Sequence, residues 1–174
     1  LTGLHNMENV MAVIAAARRA GVDKKSLMDT LAAFSGLHHR METVREFGGV
    51  TYIDDSKGTN IGALQMALRG LKGPVVLIAG GVDKGGDYRV LSSLIREKVK
   101  AMVLIGEARQ KISDALGRLT KTVMADSFEE AVKTAHKAAL PGDTVLLCPA
   151  CSSFDMFRNY KERGERFRAL VEAL

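Results

Sequence analysis

The 174-residue sequence has no tryptophan, only two cysteines and three prolines, and aromatic residues make up just 5% of it. Two cysteines exclude a disulfide-stapled scaffold, and a chain of this length buries about 70% of its unfolded surface without staples. No apolar run approaches the roughly 20 residues of a membrane span, and no signal-peptide pattern opens the chain. We therefore expect a cytoplasmic globular protein that has no membrane partner.

The sequence also lacks any block of like charge. Its formal net charge is +5, from 25 lysines and arginines against 20 aspartates and glutamates. The two signs are interleaved, and no basic stretch alternates with aromatic residues as it does in many nucleic-acid-binding proteins. We therefore expect no nucleic-acid partner. The mild positive balance suits small anionic ligands or has no functional meaning.

The first 36 residues have helical periodicity. Val10, Val13, Ile14 and Ala17 form one apolar stripe that ends before Gly21, and a shorter stripe follows over residues 27–34. Two helices alone cannot bury their apolar faces, so they must pack on the rest of the chain or on a missing partner. We place a domain boundary at residues 36–40, where the pattern changes.

From Arg40 onward, strand and helix patterns alternate. Strands are predicted at residues 41–47, 50–53, 75–79, 102–105, near 123 and at 144–147; helices are predicted after residue 60, at 90–99, at 108–116, from 127 and from about 155 to the end. The central strands are continuous apolar runs, which is typical of parallel strands buried on both faces. The sequence thus predicts an α/β domain with a doubly wound, mostly parallel sheet and helices on both faces.

Three polar loops follow three of these strands. They are Asp54-Asp55-Ser56-Lys57-Gly58-Thr59-Asn60, the glycine-rich loop at residues 80–86, and residues 148–155. In open α/β sheets ligands bind beyond the carboxyl ends of the strands, and a helix amino terminus favours a phosphate or carboxylate. We therefore predict a ligand site there, although the first loop could merely cap the helix that follows it.

Several common motifs are absent or weak. The glycine-rich loop is neither a Walker A motif nor G-x-G-x-x-G, which disfavours a nicotinamide cofactor. Lys84 within it suits a substrate carboxylate or phosphate, or is a solvated loop lysine. The C-x-x-C at Cys148 and Cys151 permits thiol redox chemistry, but its place after the last strand favours a hydrogen-bonding loop. His38-His39 lacks partners with zinc spacing and favours a structural or hinge role.

Taken together, six motifs resemble the Mur ligases of peptidoglycan synthesis, and within them the branch that adds D-glutamate. The motifs, in order, are His5-Asn6-Met7-Glu8-Asn9, His39-Arg40-Met41-Glu42, Asp54-Asp55-Ser56-Lys57-Gly58-Thr59-Asn60, Gly80-Gly81-Val82-Asp83-Lys84-Gly85, Pro149-Ala150-Cys151-Ser152-Ser153-Phe154-Asp155-Met156-Phe157 and Glu162-Arg163-Gly164. The Asp-Ser-Lys-x-Thr-Asn pattern separates this branch from its sister ligases. The resemblance covers the whole chain.

The resemblance implies a larger, monomeric, three-domain enzyme. Residues 1–36 would be the last helices of a central ATPase domain, and residues 37–174 a Rossmann-like carboxyl-terminal ligase domain. The UDP-sugar domain and the P-loop, carbamylated lysine and Mg²⁺ ligands of the central domain would lie outside this sequence. The chain alone would then be inactive and hold no metal.

The implied reaction is ATP-dependent joining of D-glutamate to UDP-N-acetylmuramoyl-L-alanine through an acyl phosphate, in cell-wall synthesis. Carried over position by position, the resemblance implies that Asn6 and Asn9 contact adenine, Arg40 the ATP phosphates and Asp55 the ribose. It implies that Lys57 positions the acyl phosphate and the amino acid. The D-glutamate pocket would comprise Thr59, Lys84, Ser153, Phe154 and Tyr160.

Three positions depart from the family pattern. Gly58 stands where alanine is frequent, His38 where proline is common, and Cys148 where serine is frequent. None of them is a residue to which the resemblance assigns a role. The sequence leaves two other hypotheses open, namely a stand-alone nucleotide- or amino-acid-binding module and a thiol redox domain.

Overall fold

The computed structural model describes residues 4–174, with side chains from residue 7 onward. The chain divides into two compact units, one ending at Leu37 and one spanning His38–Leu174. The first unit contains helices α1 (Leu4–Arg19) and α2 (Lys24–Ala33). Between them Gly21 adopts a φ of +82°, a left-handed conformation that glycine accepts without a steric penalty. The assignment of this unit to a neighbouring domain stays a prediction.

The second unit is built on a six-stranded sheet. Its elements are β1 (Glu42–Phe47), β2 (Val50–Asp54), α3 (Ile61–Gly70), β3 (Val75–Gly80), a 3-10 helix (Tyr88–Leu91), α4 (Ser92–Lys98), β4 (Val99–Ile105), α5 (Arg109–Leu116), β5 (Lys121–Met124), α6 (Phe128–Ala138), β6 (Thr144–Leu147) and α7 (Tyr160–Glu172). The strand order is β1-β2-β6-β3-β4-β5, with only β1 antiparallel to its neighbour. This confirms the predicted doubly wound, mostly parallel α/β fold.

The core lies in two apolar layers, one on each face of the sheet. All six residues of β3 are buried, which explains its continuous apolar sequence. Leu77 faces the layer formed with α3, α4 and α5, whereas Ile78 faces the layer formed with α6 and α7. Because both faces of the sheet are buried, polar side chains are accessible at its two ends, where the loops emerge.

Two element boundaries differ from the sequence prediction. The last helix begins at Tyr160 rather than near Asp155, because the Asn159 side chain accepts hydrogen bonds from the backbone N–H groups of Lys161 and Glu162, both at 3.0 Å. Strand β4 begins three residues earlier than predicted, since Val99 still pairs with Val75 of β3. The predicted helix over residues 90–99 is correspondingly shorter.

Across the described residues 4–174, none of the helices combines the length and apolar character needed to cross a membrane.

Candidate functional site

The three polar loops meet at the carboxyl edge of the sheet, because β6 lies between β2 and β3. Val82 and Ser152 form an antiparallel bridge with two backbone hydrogen bonds of 3.0 Å, which joins the loops after β3 and β6. The backbone N–H of Ala150 donates to the carbonyl oxygen of Gly58 at 2.9 Å, which joins the loops after β6 and β2. Side chains that are far apart in sequence therefore share one surface.

Asp55 is the most perturbed acid of this edge. Its side chain is only 7% exposed, with Oδ1 accepting from the backbone N–H of Met41 at 3.2 Å and Oδ2 from the Cys148 thiol at 3.1 Å. Burial raises the pKa of Asp55 to about 6, against the opposing effects of these two hydrogen bonds. Asp54 next to it raises that pKa further, whereas the Arg40 guanidinium lowers it.

The neighbouring Asp54 belongs to a buried hydrogen-bond network. Its Oδ2 lies 2.7 Å from His39 Nδ1, and its Oδ1 accepts from the backbone N–H of Ser56 at 2.8 Å. Burial raises the pKa of Asp54, while the hydrogen bond with His39 opposes that rise. This network explains why His39 is buried and supports the structural role that the sequence predicted for it.

Asp54 and His39 also form, with Glu42, the one cluster of three potential metal ligands among the described residues. Glu42 accepts from Arg168 through Oε1 and from the backbone N–H of His39 through Oε2. Each carboxylate oxygen of the cluster thus already accepts a hydrogen bond. Mg²⁺ prefers several water ligands and open carboxylate oxygens, so this cluster does not fit it.

Lys57 and Tyr160 are brought together from opposite ends of the domain. The Lys57 ammonium lies 4.1 Å from the centroid of the Tyr160 ring, a cation–π contact that holds the head of this half-buried side chain. The Ser56 hydroxyl donates to the carbonyl oxygen of Tyr160 at 2.7 Å. The first residue of α7 therefore fixes the loop that carries Lys57.

Lys84 and Thr59 form a second pair across two loops. Lys84 Nζ donates to Thr59 Oγ1 at 3.1 Å, and the Lys84 side chain is otherwise exposed. The preceding Asp83 holds the loop in place by accepting from the Tyr88 hydroxyl at 2.8 Å and from Lys111 Nζ at 2.6 Å. A cation and a hydroxyl are thus presented at one accessible point, which suits a carboxylate ligand.

The loop after β6 contributes both buried and exposed groups. Ser153 is 2% exposed, whereas the Phe154 ring is 73% exposed at the rim. Cys148 and Cys151 are fully buried and not joined in a disulfide, and burial raises the pKa of both thiols. Because the thiolate is the reactive form of cysteine, this arrangement does not support the redox hypothesis.

Arg163 is a residue of the site that sequence reasoning left without a role. It is 1% exposed, donates from Nε to Ser56 Oγ and from Nη2 to Ser56 O, both at 2.9 Å, and reaches the Cys151 carbonyl oxygen at 3.3 Å. Burial lowers its pKa to about 10, so it stays charged at neutral pH. The sequence did carry a signal, since Arg163 lies on the same helical stripe as Phe167 and Val171.

Two of the three positions that depart from the family pattern, Cys148 and Gly58, lie against Asp55, a residue with an implied role. Cys148 donates its thiol hydrogen bond to Asp55. A Cβ atom at Gly58 would lie 2.5 Å from Asp55 Oδ2 and 2.6 Å from Cys148 Sγ. His38 by contrast is exposed and pairs with Glu42 at 3.0 Å.

Three further residues are predicted to contact the nucleotide, and the structure describes the side chains of two of them. Asn9 is exposed on α1, and Arg40 is exposed two residues before β1. The side chain of Asn6 lies outside the residues whose side chains the structure describes.

Comparison with known proteins identifies one family. The model of the family described as "Mur ligase, glutamate ligase domain" matches residues 39–151. The UDP-N-acetylmuramoylalanine–D-glutamate ligase of Geotalea uraniireducens is 50% identical over 174 residues, which are 100% of this chain and 38% of that relative. The chain thus spans little more than a third of the length of the curated relatives it matches.

Solved structures share the fold at low sequence identity. A pseudomurein peptide ligase type C from Methanothermus fervidus superposes with a TM-score of 0.75 at 18% identity, covering 98% of this chain and 36% of that one. The folylpolyglutamate synthase of Mycobacterium tuberculosis, crystallised with ADP and AMPPCP, gives a TM-score of 0.73 at 14% identity, covering 96% and 41%.

Proposed function

The chain belongs to the Mur ligase family, and we propose that it is the carboxyl-terminal part of a cytoplasmic ligase that adds D-glutamate to UDP-N-acetylmuramoyl-L-alanine in peptidoglycan synthesis. The observation that carries this proposal is the 50% identity, along the whole chain, to a ligase named for that reaction. In the proposed ATP-dependent reaction the muramoyl-L-alanine carboxylate is activated as an acyl phosphate, and the amine of D-glutamate displaces the phosphate.

In this proposal, the parts of the active site are distributed between this chain and further domains. Because relatives extend well beyond the matched part, we propose that the UDP-sugar domain, the P-loop and the Mg²⁺ ligands lie outside residues 1–174. Residues 1–36 would complete the central ATPase domain, and residues 37–174 would form the ligase domain of a monomeric enzyme. On this account the 174-residue chain hydrolyses no ATP by itself.

The D-glutamate pocket is proposed at the paired Lys84 and Thr59. D-Glutamate brings two carboxylates, which require cations and hydrogen-bond donors. The 3.1 Å contact between Lys84 Nζ and Thr59 Oγ1 gathers both kinds of group at one accessible point. Ser153, Phe154 and Tyr160 would complete the pocket from the loop after β6 and the first turn of α7.

The nucleotide contacts are proposed at Asp55, Arg40, Asn6 and Asn9. Each Asp55 oxygen accepts one hydrogen bond within the chain and keeps a lone pair for a ribose hydroxyl. The exposed Arg40 guanidinium suits bidentate contact with phosphate oxygens. The two asparagines are three residues apart on α1, and an amide both donates to and accepts from an adenine edge.

Lys57 is proposed to act on the reacting groups. Its ammonium is held against the Tyr160 ring rather than in an ion pair with a described carboxylate, which leaves its charge available to the acyl phosphate. A positive charge fixed in advance where negative charge develops lowers the barrier without further reorganisation.

The experiment that tests this function is the replacement of Lys84 in the full-length ligase. We expect Lys84→Ala to raise the KM for D-glutamate about 10-fold or more, since a hydrogen bond to a charged group contributes roughly 1.5–3 kcal/mol, with little change in the KM for ATP. The exposed Lys121→Ala on β5 serves as the matched control and should change neither value. An unaltered D-glutamate dependence in Lys84→Ala contradicts the proposed pocket.

A further inference from the structure

Cys148 and Gly58 together surround the inner side of the Asp55 carboxylate. The Cys148 thiol lies 3.1 Å from Asp55 Oδ2, and Cys148 is completely buried at the end of β6. Gly58 closes the same space, because any Cβ there would press on both Asp55 Oδ2 and Cys148 Sγ. The backbone φ of Gly58 is not in the left-handed region. Glycine is therefore required at this position because a side chain would not fit, and not because of the backbone conformation.

The thiol can only act as a donor here. Burial raises the pKa of Cys148 well above its ordinary value, and the negative Asp55 beside it raises it further. Cys148 therefore stays protonated at neutral pH and supplies its S–H to the carboxylate. A hydrogen bond to the ionised form of an acid stabilises that form.

We propose that the Cys148 thiol, in the space left by Gly58, is a positioning group that holds the Asp55 carboxylate in its nucleotide-binding orientation. This inference rests on the proposed function, in which Asp55 meets the ribose hydroxyls. The thiol fixes Oδ2 from β6, while the backbone N–H of Met41 fixes Oδ1 from the segment before β1. With both oxygens held from inside the domain, each keeps a lone pair for the ribose hydroxyls of the proposed nucleotide.

Besides the Cys148 thiol, several charged and titratable groups around Asp55 affect its pKa. Asp54, the adjacent residue of β2, disfavours the ionised form of Asp55, while Arg40 before β1 favours it. Arg163 of α7 lowers the pKa of Cys148 itself. Burial is the largest effect on Asp55, and the thiol hydrogen bond is the largest effect opposing it.

The test compares Cys148→Ala with Cys148→Ser. Removing the donor should raise the pKa of Asp55 above its value of about 6, whereas serine keeps an O–H donor and should preserve it. The Asp55 carboxyl carbon is followed by ¹³C NMR titration in the 174-residue chain and identified through Asp55→Asn. In the full-length ligase, ADP binding is then measured calorimetrically between pH 6 and pH 9.

For Cys148→Ala we expect ADP affinity at pH 6.5 to fall about threefold for a pKa rise of about one unit, and to recover above pH 8. Cys148→Ser should follow the wild type, which a merely structural loss would not predict. Gly58→Ala should weaken ADP binding at every pH, because the added Cβ displaces the carboxylate itself.

Cys151→Ala is the matched control, since Cys151 is equally buried but its thiol faces the Tyr88 hydroxyl at 3.1 Å. It should leave the Asp55 titration unchanged. An unchanged Asp55 titration in Cys148→Ala overturns the inference, whatever happens to ADP binding. A shifted titration together with ADP binding that is unaffected in both Cys148→Ala and Asp55→Asn overturns the nucleotide role of Asp55, and with it the proposed function of this loop.

Discussion

Asp55 is maintained in its ionised form at a cost in stability. Its pKa of about 6, against 3.8 for an unperturbed aspartate, means that burial disfavours the charge at neutral pH. Carboxylates kept in such surroundings are common at functional sites. We therefore attribute the residue to the proposed nucleotide contact rather than to a contribution to folding.

This cost predicts a pH-dependent effect of Asp55→Asn on stability. Because the folded-state pKa is raised, the contribution of the carboxyl group to stability is fully present below about pH 4 and is lost as pH rises through about 6. The unfolding free energy of Asp55→Asn, relative to wild type, should therefore increase between pH 4 and pH 7 by on the order of 2 to 3 kcal/mol.

Urea unfolding at pH 4, 5, 6 and 7 measures this difference. Asp126→Asn, which removes an aspartate whose side chain is 88% exposed, reports the effect of losing a surface carboxylate. A difference between Asp55→Asn and wild type that does not change with pH would show that Asp55 is not held in the surroundings described above.

At the scale of elements, α7 is fixed to the loop after β2 by its first turn. Arg163 donates three hydrogen bonds, two of them to Ser56, and Tyr160 accepts a further one from the Ser56 hydroxyl. Gly164 lies directly against His39 and Asp54, so that the helix backbone closely approaches this buried hydrogen-bonded pair. The position of Lys57 and Asp55 therefore depends on a helix about 100 residues further along the chain.

This close approach predicts that Gly164→Ala destabilises the domain. Replacing glycine by alanine inside a helix normally stabilises it by up to about 1 kcal/mol. Here the new Cβ would overlap His39 Nδ1 and lie 2.6 Å from Asp54 Oδ2, and overpacking of this kind costs about 1–3 kcal/mol. Denaturant unfolding should show a clear loss of stability.

Gly70→Ala provides the matched control, because Gly70 is also helical and a Cβ there would meet nothing within 4 Å. It should be neutral or stabilising. If both variants behave alike, α7 is not closely packed against His39 and Asp54.

At the scale of the whole molecule, both apolar layers belong to one unit. Every residue of the two core clusters among the described residues lies between Met41 and Leu174. The unit His38–Leu174 therefore has the complete core that an independently folding domain requires.

We predict that residues 38–174, produced without the first 37, unfold in a single cooperative transition. Circular dichroism during urea denaturation should give a sigmoidal curve, with a midpoint close to that of the corresponding transition in the 174-residue chain. A broad, non-cooperative curve for the shortened chain, with the intact chain as control, would mean that the first unit is required for folding.

The local sequence determined most elements of this protein. The continuous apolar runs at residues 75–79, 102–105 and 144–147 predicted buried parallel strands, since burial on both faces leaves no polar alternation. The polar loops after them predicted a ligand site at the carboxyl edge of the sheet, because chain direction alone fixes which edge that is. The short motifs predicted the family, which the comparison with known proteins confirmed.

Only the tertiary structure decided what lies beside each polar group. The insertion of β6 between β2 and β3 brings Cys148 to Asp55, 93 residues away along the chain, and the return of α7 brings Arg163 to Ser56. The periodicity of apolar residues indicates which face of an element is buried, but it does not indicate which distant residues come into contact. Those contacts form only once the strand order is set. Such long-range contacts raise the pKa of Asp55, bury the charged side chain of Arg163 in α7 and leave no room for a side chain at Gly58.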